Sequence, residues 1–363
     1  MTLAFVSRLS VGSDQWNQLV DESPDGWVFS LYEWQELILS VEQWGLEDVS
    51  FAVMQNGQVI AVMPLQFNRV SSRLGSSAWG GSGPVVSKKQ SEKKRKKIIL
   101  AMLEHCEQTG LENKAVCFDF SQLPITETSI LSCWGINPFY YYDADDVSLI
   151  SQVIDLQQSH DKLWNGLSYD AKRQIRIAGD KGYSVKTVNW QEHIDRYYQL
   201  HVKTYNRTGV EPHPRSYFEG IANLISTRNN AVLWAAFDSD GEVVAYHNTA
   251  CTDFGAYYHT GFSEEKVNDD GASYLLFWEA VQGMKLRGVS WYDCGAIFPN
   301  SYDAKQKGLT TFKSKFGGKP HRIFRVEKRL VVESEMRSAI LGQHDVKKSL
   351  LEKLRHRVLQ HMS

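Results

Sequence analysis

The chain has 363 residues, with 40 basic and 42 acidic side chains and a formal net charge of -2. That balance excludes a generic nucleic-acid coat and a polybasic membrane binder, while leaving room for a local basic site. Apolar residues make up 42% and charged residues 23%, an ordinary globular composition. At roughly 100–200 residues per domain, the length predicts two or three domains. Five cysteines, an odd number with no C-x-x-C pair, give neither a disulfide framework nor a zinc knuckle. A reducing compartment, the cytoplasm, is expected. The N-terminus lacks a charged region followed by a long apolar core, so no signal peptide is read there. No window holds ~18 uninterrupted apolar residues, so no membrane span is expected.

In chain order, residues 50–70 predict a β-hairpin, because two apolar runs flank Asn56-Gly57 and both turn residues tolerate positive φ. A Gly-rich segment, Trp79 to Pro84, follows. A helix is predicted near 90–109, then a short strand from Ala115 to Asp119. The run Lys93 to Lys97 heads that helix and reads as a solvated face. A joint is expected near 150–165, and Asp161 to Gly182 reads as a helical stretch with Lys172, Arg173 and Arg176 on one side. Two helices follow, Trp190 to Tyr205 and Arg215 to Thr227. The segment between them holds Gly209, Pro212 and Pro214, so it is a loop. A second hairpin at 231–252 turns at Asp240-Gly241. It leads to a strand from Gly255 to Gly261, a helix from Ala272 to Arg287 and a strand from Val289 to Asp293. Strands near 321–333 and a basic amphipathic helix at 344–361 complete the chain.

The two hairpins are copies of one design. Gly57 and Gly241 lie 184 residues apart, and Asp119 and Asp293 lie 174 apart. Gly110 and Gly288 are the expected C-caps of the two corresponding helices. Duplication of one α/β unit accounts for the length.

Certain segments of the second half are more specific: His201-Val-Lys-Thr-Tyr-Asn-Arg207-Thr-Gly-Val, Pro214-Arg215-Ser-Tyr-Phe218, and Phe312-Lys313-Ser-Lys-Phe316-Gly317-Gly318. Together with the twice-repeated order hairpin, strand, helix, strand, helix, they resemble the Fem-type aminoacyltransferases and their GNAT relatives. The resemblance implies an α/β (α+β) fold of two tandem GNAT-like domains with mixed central sheets flanked by helices. The domains would span 1–155 and 156–333, the second carrying the active cleft, with a terminal amphipathic helix at 334–363. It implies an acyltransferase that moves an acyl group, acetyl or aminoacyl, onto an amine of a cell-envelope sugar or peptide precursor. Phe312 and Lys313 then correspond to the reacting centre, and Arg215 to a phosphate contact. Residues 32–43 hold no basic residue in place of a family lysine that helps hold the nucleotide-sugar. The helical hairpin of tRNA-using members is also missing. Acyl-CoA is therefore preferred as donor over charged tRNA. A tRNA-dependent peptidoglycan-bridge transferase remains one alternative, and a non-catalytic GNAT-like binding module another.

The residues themselves suggest the roles. Attack of an amine on an ester or thioester needs a neutral amine, a stabilised oxyanion and a held donor. Lys313 supplies a fixed positive charge for the oxyanion, or is a surface lysine. Arg215 begins a helix, where a guanidinium and the helix N-terminus both suit phosphate. Arg207 is a weaker candidate for the same task. Asp293, closing a predicted strand, is a base or amine-orienting group, or else caps the Gly295 turn. Tyr258 and His259 alternate along one strand, so at most one faces the cleft. Gly271 and Ser273 would admit a donor pyrophosphate at a helix start. His213 has no partner at metal-ligand spacing, and no metal is expected. The partners expected are an acyl donor and an amine acceptor, with no stable nucleic-acid complex, and the sequence leaves the oligomeric state open.

Overall fold

The computed structural model describes residues 3–76, 82–131, 136–267 and 270–330. Gly80, Gly81, Asp269 and the terminal helix expected at 334–363 lie outside the described residues. The first half runs β1 (Ala4–Ser7), α1 (Arg8–Val11), α2 (Ser13–Glu22), α3 (Tyr32–Leu39), β2 (Leu46–Asp48), β3 (Phe51–Gln55), β4 (Gln58–Met63), β5 (Gln66–Asn68), β6 (Arg73–Gly75), β7 (Val85–Val86), α4 (Glu92–Glu112), β8 (Cys117–Gln122) and α5 (Glu127–Ile130). After β9 (Asp145–Asp146) and β10 (Leu149–Asp155) come α6 (His160–Gly166), α7 (Tyr169–Asp180), β11 (Ser184–Val188), α8 (Trp190–Thr208) and α9 (Arg215–Gly220). The chain then forms β12 (Ala231–Phe237), β13 (Val243–Cys251), β14 (Gly255–Ser263), α10 (Ala272–Leu286), β15 (Trp291–Ile297), α11 (Ala304–Ser314) and β16 (Lys319–Arg329).

The duplication predicted from residue offsets is visible in the strand pairing. Asn56 and Gly57 adopt φ of 51° and 76° between β3 and β4, the left-handed pair that a two-residue hairpin requires. In each half one parallel pair follows the hairpin. β6 and β8 pair at Arg73–Cys117, Leu74–Phe118 and Gly75–Asp119. β14 and β15 pair at Gly255–Trp291, Ala256–Tyr292 and Tyr257–Asp293. Asp119 and Asp293 are thus the last paired residues of equivalent strands.

The halves are tied together by exchange of strands. One sheet runs β11-β12-β13-β14-β15-β10-β16-β8-β6-β5-β2, and β1-β3-β4-β7 form a second, four-stranded sheet. β10 lies between β15 and β16, and β16 pairs with β8 of the first half. A shared core reinforces this. Trp16, Trp27 and Trp34 of the first half and Tyr197, Tyr217 and Phe218 of the second are buried in one cluster. Trp34 meets Tyr217 edge-on at 6.3 Å between ring centroids. Two further clusters fill the space under α4 and under α7 and α10.

Several local expectations are corrected by packing. α4 runs through Gly110 to Glu112, so Gly110 is not its cap. A Cβ there would lie 2.4 Å from Leu330 Cδ1, and the glycine answers to that close approach. Gly288, with φ 83°, does follow the C-terminus of α10. The stretch from Asp161 breaks into α6 and α7, because Ser168 accepts a hydrogen bond from Ala171 N–H and starts a new helix. α8 extends to Thr208 before Gly209 ends it in the left-handed region, so Arg207 belongs to a helix and not to the loop. Among the described residues no helix is long and apolar enough to cross a membrane.

Candidate functional site

The site grows from the point where β14 and β15 part. Beyond Tyr257 and Asp293 the two strands continue to Ser263 and Ile297 without pairing with each other. The parting is built into β15. Its register against β10 shifts between Ser151 and Val153, and Gly295 takes φ 90°, a conformation that L-residues with a side chain resist. Asp293 therefore lies inside β15, not at its end as the sequence suggests. It is fully buried. Its Oδ1 accepts hydrogen bonds from Ser151 Oγ and, at 2.7 Å, from Gly295 N–H. Its Oδ2 has no hydrogen-bond partner among the described residues.

α11 brings Lys313 to the same point. Asp303 caps the helix by accepting from Gln306 N–H at 2.8 Å. Phe312 and Phe316 pack on Tyr274 and Phe277 of α10. This aromatic seam fixes the rotation of α11 and turns Lys313 inward, where only 8% of its surface is exposed. Its Nζ donates to Ala296 C=O at 2.8 Å. A Cβ at position 295 would stand 2.8 Å from Nζ and 3.9 Å from Tyr257 Cε2. Lys313, Gly295 and Tyr257 therefore touch a common spot where the strands diverge.

Burial sets the electrostatics. It raises the Asp293 carboxyl to about 6, against the opposing pull of Ser151, Gly295 N–H and Lys313. It lowers the Lys313 ammonium, with Asp293 working the other way. Transfer that uses an ionised Asp293 and a protonated Lys313 is expected to rise with pH through about 6. It should fall again on the alkaline side earlier than an ordinary lysine would dictate. Asp293→Asn removes the acid limb of the kcat/KM profile. An unchanged limb in that variant assigns the titration elsewhere.

A cleft of about 370 Å³ opens beside Lys313, walled by β13, β14, α10 and α11. Of the residues expected from sequence, Lys313, Phe312, Tyr258 and Ser273 line it, with Asp293 behind Lys313. Tyr258 is the cleft-facing member of its strand pair. His259 is on the other face, nearly buried beside Phe29 and Trp34, with its Nε2 2.8 Å from Tyr217 Oη. Burial pushes that histidine down to about 3, so the ring is neutral where it packs.

Three more expected site residues are not in the lining of this cleft. Arg215 sits outside the cleft lining. Its guanidinium donates through Nη2 to Asp195 at 2.6 Å and through Nε to Glu219 at 2.7 Å. Arg207 is exposed, one turn beyond the cleft residue Thr204. Gly271 faces α7: a Cβ there would lie 2.1 Å from Gln174 O, so its smallness serves helix packing. Sequence reasoning missed Tyr257, Ser151 and Thr204. Only strand register and long-range contacts identify them, and no local pattern marks them. Among the described residues no group of three or more His, Cys, Asp or Glu is placed to hold a metal ion.

A family model, the acetyltransferase (GNAT) domain, matches residues 167–313. The matched segment includes β14, β15, Asp293 and Lys313. Within the second half, the match is to the acetyltransferase (GNAT) domain and ends at Lys313. Over almost the whole chain the fold is also that of FemX, which is 15% identical with a TM-score of 0.67, covering 94% of this chain and 100% of that one. L-PGS from Bacillus licheniformis is 15% identical with a TM-score of 0.54, covering 91% and 95% of the two chains. The C-terminal domain of a putative lysylphosphatidylglycerol synthetase from Agrobacterium fabrum is 14% identical with a TM-score of 0.53, covering 87% and 91%. No curated protein matches the sequence. These likenesses give the chain a FemX-like fold, with a GNAT domain match over residues 167–313. The first half repeats the GNAT layout without the Phe-Lys element. Asp119, the last β8 residue paired with β6, is bound to Arg73 of its own sheet at 2.8 Å. In chain order the four-residue α5 follows β8 as α11 follows β15.

Proposed function

We propose that this protein is a GNAT-type acyltransferase that moves an acyl group from acyl-CoA to an amine of a cell-envelope sugar or peptide precursor. The observation that carries the reading is the buried Lys313 ammonium at the parting of β14 and β15, at the wall of the cleft. A tetrahedral intermediate formed there develops its negative charge beside a fixed cation in a water-poor site. Asp293, close to neutrality in its titration, counters the burial of that cation and is placed to influence the proton released by the attacking amine.

The donor end of the cleft is compatible with a pyrophosphate. Ser273 lies in the lining and in the first turn of α10, and helix N-termini favour anions. Asp270, whose charge would repel phosphate, is engaged by Lys181 Nζ and by Tyr183 Oη. The apolar walls from Phe277, Phe312 and Leu309 suit an uncharged acyl chain. The envelope acceptor rests on the likeness to FemX, to L-PGS and to the putative lysylphosphatidylglycerol synthetase.

Isothermal titration with coenzyme A and acetyl-CoA tests the donor. Micromolar binding of both, with the Asp270→Lys variant binding no more weakly, is expected. Absence of binding overturns the acyl-CoA reading and favours charged tRNA as donor. Arg215→Ala is expected to leave binding unchanged, because its charge is spent on Asp195 and Glu219.

A further inference from the structure

The basic run at the head of α4 has no part in the transfer cleft. Seven of the ten residues from Lys88 to Lys97 are basic and one, Glu92, is acidic. The rest of the chain holds 33 basic against 41 acidic side chains, so this short stretch concentrates a charge that the molecule as a whole lacks. Three of the seven cations have carboxylate partners. Arg95 pairs with the buried Asp25, Lys96 with Glu92 at 3.4 Å and Lys88 with Glu22 at 4.0 Å. Lys89, Lys93, Lys94 and Lys97 are exposed and have no ion pair among the described residues. Their place works against the fold. Lys93 and Lys94 lie in the first turn of α4, whose partial positive charge favours anions, and Lys93 and Lys97 are like charges one turn apart. Packing does not call for them either, since α4 buries Ile98, Ile99, Met102 and Leu103.

Apolar groups stand among these cations. Leu100 continues the row of Lys93 and Lys97 one turn further and is 37% exposed, and Glu104 ends the row. On the neighbouring side of the helix, Arg95, Lys96 and Ile99 share the wall of a hollow of about 170 Å³ with Pro138, Phe139 and Tyr141. Tyr140 of that segment is 73% exposed. We propose that this face of the first half docks on the anionic headgroups of a lipid bilayer. Lys89, Lys93, Lys94 and Lys97 meet the lipid phosphates, and Tyr140 and Leu100 enter the boundary between headgroups and acyl chains. Clustered lysines on a helix suit such a surface, because each acts as a point charge and needs neither a groove nor a directional contact. Nucleic acid is the poorer fit. The one guanidinium of the run, the group suited to bidentate phosphate contact, is held by Asp25.

Sedimentation of the full chain with lipid vesicles tests this surface. Binding is expected to vesicles of phosphatidylcholine with about one third phosphatidylglycerol, and not to phosphatidylcholine alone. Raising the salt from about 0.05 M to about 0.5 M should release most of the protein, because the contacts are exposed charges. Lys93→Glu combined with Lys97→Glu should weaken binding about tenfold or more. The unfolding temperature of that variant should hold, since both positions are exposed and the first turn of a helix suits an acidic residue. Lys162→Glu combined with Lys305→Glu changes the net charge equally at exposed positions elsewhere and should leave binding within about threefold. Tyr140→Ala should weaken binding several-fold at either salt. Equal losses in the two double variants reduce the effect to net charge and overturn the proposal. So does equal binding to phosphatidylcholine alone, or no binding to either vesicle. Binding of a mixed-sequence RNA more tightly than the vesicles, lost in Lys93→Glu with Lys97→Glu, overturns it in favour of nucleic acid.

Discussion

Replacing Lys313 by alanine is expected to lower kcat about 10²–10³-fold, the loss that follows removal of one oxyanion donor. Lys313 is the ammonium held at the parting of β14 and β15, by Ala296 C=O on one side and the aromatic seam of α11 on the other. No carboxylate among the described residues lies within ion-pair distance of it, so its charge is available to a substrate oxygen. Lys313→Met keeps the apolar stem and should be equally slow, which distinguishes loss of charge from loss of packing. Lys313→Arg should recover little, because a guanidinium needs room where the Gly295 backbone stands beside Nζ. Burial already lowers the lysine's pKa, so removing the charge spares the fold a desolvation cost. An unfolding temperature that holds while turnover collapses is the expected pattern. Full activity in Lys313→Ala would remove the lysine from the chemistry.

The second large effect is on stability. Gly271 has φ 76° and its missing Cβ would stand 2.1 Å from the Gln174 carbonyl oxygen of α7. Both faults act together in Gly271→Ala. The left-handed conformation costs about 1–2 kcal/mol for a residue with a Cβ, and the contact with backbone cannot be relieved by a side-chain rotation. Destabilisation of about 3–5 kcal/mol is expected in urea unfolding. The start of α10 would move away from α7, so donor affinity should fall with stability. Gly241→Ala is the control. Its φ is 82°, but nothing lies within 4 Å of the added carbon, so only the conformational part should appear. Equal losses in the two variants would show that the α7–α10 contact has no special weight.

Much of the fold follows from short-range pattern. Asn56-Gly57 and Asp240-Gly241 are turn chemistry that local sterics dictate. The recurrence of hairpin, helix and aspartate-bearing strand at similar offsets marks the duplication without reference to any contact. Gly288 as a helix terminator is equally local. Gly110 has the same residue type in the corresponding helix, yet its reason is the side chain of Leu330, some 220 residues away in the chain. A capping glycine and a packing glycine look alike until the neighbour is known.

The candidate site divides along the same line. The sequence by itself determined the repeated α/β unit, the Phe312-Lys313 pair on a helix and the alternation that lets only one of Tyr258 and His259 face the cleft. Each depends on periodicity or on residues adjacent in the chain. Only the tertiary structure decided which of the two faces the cleft, that Lys313 is buried and not a surface lysine, that Asp293 lies within β15 beside Ser151, and that Arg215 is neutralised by Asp195 and Glu219. Those outcomes depend on desolvation and on partners far apart in sequence, and both are set by how strands and helices pack.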